Sequence, residues 1–169
     1  MKKSVLVMVV LFALSCGRKQ SHPPVGGILT EKDLSISKNR AKSLNEMERA
    51  QISDWIASQD MKFYPMQMNY WINVPNLNSQ PRKKDGQEVS FLYEIYDFDQ
   101  TKLYEKPIVY QDAALGKFEV IKALDDAIRY LPQNSQATLL IPSVLAFGTY
   151  GDNDKISHDM PIIVKLKML

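Results

Sequence analysis

One cysteine, Cys16, stands in the whole 169-residue chain. A lone thiol closes no intramolecular disulfide, so a stable fold has to be held by its core. Histidine is nearly as scarce. His22 and His158 lie far apart in polar segments, with no metal-ligand spacing, so neither metal nor cofactor is expected. Neither sign of charge dominates, with 21 Lys and Arg against 19 Asp and Glu and a formal balance of +2. A nucleic-acid binder would carry a basic face, and that class is set aside. The one basic cluster, Arg82, Lys83 and Lys84, sits between Pro81 and Asp85-Gly86 and reads as a solvated turn rather than a phosphate site. Long apolar runs are missing too. Residues 5–14 form an apolar run of about ten, where roughly 20 would be needed to cross a bilayer.

That short run has another reading. Lys2 and Lys3 precede it, small residues follow it, and Cys16-Gly17 comes next, which is the order of a cleaved lipoprotein signal. Residues 1–15 are then a removable signal, Cys16 carries lipid, and residues 16–29, rich in Pro and Gly, form a flexible tether. Ala13 stands where such signals usually have Leu, and the alternative is an ordinary cleaved signal with Cys16 incidental. Gly17, rather than an aspartate, points to the outer membrane with the protein facing the periplasm. Removing 15 residues from 169 leaves 154, enough for one domain and a tail. Lys2 and Lys3 leave with the signal, so the mature side chains balance near zero.

Further along, Thr30 and Asp33 mark a helix start. Residues 30–60 read as an N-terminal helical segment, with Leu44, Met47, Ile52, Trp55 and Ile56 over one broad face of a helix at 41–58. That face either packs on its own domain or forms a homodimer contact, and the segment is expected to be more dispensable than the remainder of the chain. Residues 64–74, rich in aromatics, read as one strand. Residues 88–98 alternate, with Val89, Phe91, Tyr93 and Ile95 on one face, and residues 108–110 form a shorter strand candidate. Over 118–131 the apolar residues recur at helical spacing until Pro132 stops them. Strands at 137–141 and 162–169 flank a long loop at 143–160. The pattern predicts an α+β domain over residues 61–169, an antiparallel sheet packed on one helix.

Catalytic constellations are hard to find. His158 has no obvious partner, Gly26-Gly27 is too isolated to cradle phosphate, and Asp97 and Asp99 straddle Phe98 as exposed turn residues do. Physical reading alone gives a tethered binding domain with an apolar core and no visible catalyst.

Several blocks, in order, carry a resemblance. Leu115-Gly116-Lys117 with Glu119-Val120-Ile121-Lys122 resembles the helix entry of FKBP-type peptidyl-prolyl cis–trans isomerases. The run Ala137-Thr138-Leu139-Leu140-Ile141-Pro142-Ser143-Val144-Leu145-Ala146-Phe147-Gly148 is similar to that family's strand and Ala-aromatic-Gly turn. Met160-Pro161-Ile162-Ile163-Val164-Lys165-Leu166 resembles its last strand, and residues 86–93 its pocket-tyrosine strand. The likeness covers roughly 86–169. With the lipoprotein signal and Lys62-Phe63-Tyr64-Pro65, the chain looks most like the FKBP-type lipoproteins associated with gliding motility in Bacteroidetes. The resemblance implies a five- or six-stranded antiparallel sheet wrapped around a short helix, preceded here by the N-terminal helix and the lipoprotein tether.

It also implies a site. Tyr93, Val120, Ile121, Leu124 and Phe147 would be the catalytic positions, with Leu103, Ile156 and Val164 completing the substrate pocket and the Ile121 N–H binding the substrate carbonyl. Leu124 replaces the family's usual tryptophan, Phe147 lacks the usual tyrosine's hydroxyl, and Tyr104 stands where an aspartate is expected. Leu103 and Val164 are smaller than the usual phenylalanines. Residues 106–112 align poorly and receive no pocket role. The implied activity is a tethered prolyl isomerase that helps envelope or secreted clients fold; its rival is a non-catalytic chaperone or assembly module of the same fold. On the anchor reading, Cys16→Ser should release the protein into the soluble envelope fraction. Membrane association and palmitate labelling equal to wild type would count against lipidation.

Overall fold

The computed structural model of the chain describes residues 30–118 and 121–169; Cys16, the tether and Val120 lie outside them. Alternation sets the architecture. In β3 (Glu88–Tyr96), Val89, Phe91, Tyr93 and Ile95 are buried in strict alternation with half-exposed neighbours. β6 (Ile162–Met168) pairs antiparallel with β3, and β5 (Gln136–Ile141) pairs antiparallel with β6. Residues of β6 that face the helix, Ile162, Val164, Leu166 and Met168, join Ala137, Leu139 and Ile141 of β5 in one core. β4 (Ile108–Ala114) extends the sheet beyond β3, while β1 (Tyr64–Pro65) and β2 (Trp71–Ile72) extend it beyond β5. The order is β1-β2-β5-β6-β3-β4, antiparallel throughout. This is the α+β arrangement that the patterning implied, and the last strand is interior.

Three elements differ from the sequence reading. Residues 64–74 form a tight hairpin rather than one strand. Asn69 takes φ +71° and the chain reverses between Met66 and Tyr70, whose backbone bond is 2.7 Å. The central helix, α2 (Lys122–Tyr130), is shorter than the apolar period over 118–131 suggests, because Ile121 keeps an extended ψ of 131° at its N-cap. The strand expected at 108–110 runs on to Ala114.

α2 fills the inner face of the sheet with Ala123, Leu124, Ala127 and Ile128, all fully buried. Its end is secured by Lys83, whose ammonium donates to the carbonyls of Ile128, at 2.9 Å, and Leu131. A cation there satisfies orphan carbonyls and complements the helix dipole, so Lys83 does more than solvate a turn. Arg129, also buried, is paired with Asp125 at 2.9 Å and Asp85 at 2.7 Å, as a buried charge must be.

The first helix, α1 (Glu31–Ala57), starts where expected. The Asp33 N–H donates to the Thr30 hydroxyl at 3.2 Å and the Thr30 N–H to the Asp33 carboxylate at 3.1 Å. Residues 31–37 are exposed throughout. Residues 38–169 form one compact unit. Within it, Ile52 is fully buried with Trp71, Leu140 and Ile163 on the outer face of the sheet, and Trp55, Ile56, Phe63 and Phe98 pack around them. The Trp55 indole donates to the Phe98 carbonyl at 2.9 Å. The apolar face of this segment of α1 thus packs on its own domain, the first of the two readings given for it.

Candidate active site

Four structural devices bring the expected residues to one face of the sheet. Period-two alternation places Tyr93 on the inner face of β3, where it pairs with Leu166, and Val164 lies opposite Ile95 in β6. Ile121 caps α2 and its carbonyl accepts the N–H groups of Leu124 and Asp125 at 2.9 and 3.0 Å, which fixes Leu124 on the first turn. A turn at residues 97–101 returns the chain so that the Leu103 N–H reaches the Ile95 carbonyl at 2.9 Å. The loop after β5 carries Phe147 and Ile156.

Tyr93, Ile121, Leu124, Ile156 and Val164 are buried in the same core, and the half-buried Leu103 and Phe147 pack against it. Seven of the eight expected positions thus belong to the one main core cluster; Val120 lies outside the described residues. Leu124 and Val164 have no exposed surface, whereas Leu103 and Phe147 are half-buried.

The 143–160 loop is shaped by its own polar groups. Gly148 and Gly151 both have positive φ. A Cβ at Gly151 would lie 2.1 Å from the Ile156 carbonyl oxygen, so only glycine fits that close approach. The Asp152 carboxylate accepts the N–H groups of Asp154 and Ile156 at 3.0 and 2.9 Å and also the Tyr104 hydroxyl. Burial alone would raise the Asp152 pKa, but these hydrogen bonds outweigh it and hold the carboxyl below its usual range. Tyr104, the residue at the expected aspartate's position, is thus tied to a carboxylate supplied by the loop.

Two donors are unused among the described residues. The Tyr93 hydroxyl has no partner among the described residues. No fully enclosed side-chain polar atom among them lacks one, so this oxygen reaches accessible space although the residue is only 5% exposed. The Ile121 N–H likewise bonds to no described residue. Burial, with the nearby Tyr110 phenol, pushes the Tyr93 pKa up to about 12, so it is a protonated donor at neutral pH.

Sequence reasoning left out an aromatic wall. Tyr110 stacks on Phe91 at 4.9 Å, and Phe118 meets both, at 5.3 Å from Tyr110 and 5.7 Å from Phe91. The alternation of Ile108 with Tyr110 was the available signal, within a segment whose family likeness is poor.

Residues 80–169 match the family model described as FKBP-type peptidyl-prolyl cis-trans isomerase. A curated relative, the probable FKBP-type peptidyl-prolyl cis-trans isomerase FkpA of Neisseria meningitidis serogroup B, is 25% identical over 141 residues. That match takes in 82% of this chain but only 50% of the relative, so the chain spans half the relative's length. Among solved structures, a peptidyl-prolyl cis-trans isomerase from Pseudomonas syringae pv. tomato superimposes with a TM-score of 0.56 at 17% identity, covering 76% of this chain and 92% of that one. FkpA from Escherichia coli gives 0.54 at 17% identity, over 100% and 81%. Both are likenesses of fold.

The phenols give a pH test. The Tyr93 pKa is raised above the unfolded value of about 10, so the unfolded chain loses this proton first. Its stabilising contribution is complete below that value and disappears as pH climbs toward 12. Thermal melts should therefore show wild type losing stability between about pH 10 and 12 more steeply than Tyr93→Phe; parallel curves would mean that the phenol is not perturbed.

Proposed function

Because the chain belongs to the FKBP-type peptidyl-prolyl cis–trans isomerase family, we propose that it catalyses rotation about X–Pro bonds in protein clients, using the pocket of Tyr93, Ile121, Leu124 and Phe147. The observation that carries this reading is a cluster of apolar side chains with two donors, the Tyr93 hydroxyl and the Ile121 N–H, that have no partner among the described residues, and with no nucleophile or acid–base pair beside them among those residues. An X–Pro amide faces a barrier of about 18–20 kcal/mol and turns over in tens of seconds or more. The planar amide is more dipolar than its twisted transition state, so withdrawing water raises the ground state selectively. Leu124 and Val164 would supply a dry floor, and Leu103, Phe147 and Ile156 its walls. The Ile121 N–H would hold the substrate carbonyl, and the hydrogen bond that a tyrosine at position 147 would give is missing.

On this reading the protein is anchored through lipid on Cys16, in the outer membrane facing the periplasm, and its clients are envelope or secreted proteins. The resemblance to gliding motility-associated lipoproteins makes motility components a natural client class. A second reading, a binding module without turnover, is favoured by one observation: Tyr104 spends its hydroxyl on Asp152, and Phe147 has none.

Phe147→Tyr discriminates between the two. One hydrogen bond contributes about 0.5–1.5 kcal/mol net, so restoring it should raise turnover roughly twofold to tenfold with peptide affinity little changed. Ile121→Asp should abolish both binding and turnover by rehydrating the socket, with a circular dichroism melt as the folding control. An inactive wild type whose Phe147→Tyr variant, correctly folded, gains nothing would leave only the binding module.

A further inference from the structure

The loop that carries Phe147 is held by a residue far outside the family-matched segment. Glu48 lies on α1, 3% exposed, and its carboxylate spends both oxygens on one residue, Ser143, itself 1% exposed. One oxygen accepts the Ser143 N–H at 2.8 Å and the other accepts its hydroxyl at 2.6 Å. A carboxylate taken out of water is costly unless it is bonded in this way. Ser143 in turn holds the loop. Its carbonyl accepts the N–H groups of Ala146 at 2.9 Å and Gly148 at 2.8 Å, the two residues that flank Phe147. A chain of hydrogen bonds thus runs from α1 through Ser143 to both sides of the pocket residue.

The far end of the loop is tied to the same helix. The Arg40 guanidinium pairs with Asp159 at 2.6 Å, and the Asp159 N–H donates to the Gly148 carbonyl at 3.0 Å. Arg40 and Glu48, eight residues apart, are separated by about 12 Å along the helix, so α1 grips the loop at entry and exit. The helix does not need Glu48 for its own adhesion, since Ile52, Trp55 and Ile56 already seat it on the outer face of the sheet.

We infer that Glu48 is a positioning residue for the prolyl site: through Ser143 it holds Phe147 at the pocket rim. This rests on the isomerase reading of the pocket. Without Glu48 the loop samples open states and only a fraction of molecules presents a complete socket. Apparent affinity falls by that fraction, while a molecule that has bound turns over as before.

The test uses the full chain. Glu48→Ala should raise KM for a prolyl tetrapeptide about fivefold to tenfold and leave kcat within about twofold. Hydrogen exchange at the Ala146 and Gly148 amides should accelerate about tenfold with the β3, β5 and β6 amides unchanged. Glu48→Gln, which can still accept one of the bonds, should recover most of the effect. The double variant Glu48→Met with Ser143→Ala replaces the buried pair with apolar groups and meets the risk that Glu48→Ala unfolds. It should restore the melting temperature but not KM, a split that a purely structural role would not produce. A wild-type KM and wild-type exchange at Ala146 and Gly148 in that double variant would overturn the inference. Should wild type prove inactive, the isomerase reading falls by itself, and exchange at these two amides still decides whether Glu48 holds the loop.

Discussion

Everything in this chain depends on the packing of α2 against the inner face of the sheet. Leu124, Ala127 and Ile128 on the helix meet Phe91, Ile95, Leu139 and Val164 on the strands, and all are essentially inaccessible to water. Burying such a side chain contributes about 1.5–3 kcal/mol, and with no disulfide available that contribution has no substitute. The constraint also shapes the site. The helix has to be short to lie within a twisted sheet of this size, and its first turn begins at Ile121, where the N–H groups of an N-terminus are left over. On the proposed reading the core and the pocket are one object: the Leu124 that fills the helix–sheet interface would also be the floor on which a proline ring rests.

Around that interface, polar groups fix what apolar packing cannot. Lys83 closes the end of α2, Arg129 is held between Asp85 and Asp125, and Asp152 shapes the loop that bears Ile156. Each satisfies backbone or buried charge at a point where irregular chain meets regular structure, which is where unsatisfied groups would otherwise accumulate. The outer face follows the same logic. α1 contributes Ile52 and Trp55 to a second cluster and sends one carboxylate to Ser143, just past the end of β5. A tether emerging before α1 would thus be continuous in sequence with the helix whose Glu48 bonds Ser143.

The legible parts of the fold were those written in short-range period. Val89, Phe91, Tyr93 and Ile95 gave β3 its face, the apolar recurrence from Ile121 to Ile128 gave α2, and the alternation from Ile162 to Met168 gave β6. The 64–74 segment misled because its aromatics favour extended structure, while the reversal depends on Asn69 taking a left-handed conformation. The helix at 118–131 was read too long because Phe118 faces the aromatic wall at a position that also suits helical spacing. Tyr110 went unnoticed because family likeness is weak there. Glu48 could not be found at all. Its partner is 95 residues away, and a glutamate on a helix looks like any other solvated charge until the fold brings Ser143 to it.

The central claim is that an apolar socket with two donors, and no acid–base catalyst, accelerates prolyl rotation. Exchange NMR on an unlabelled prolyl peptide with catalytic amounts of the full chain tests it most directly. The uncatalysed interconversion takes tens of seconds or more. The account predicts cis and trans resonances that exchange at least about tenfold faster than that in the presence of the protein, at the same rate from about pH 6 to 9 because the Tyr93 phenol stays protonated throughout. Saturable peptide binding with exchange still at the uncatalysed rate would contradict it.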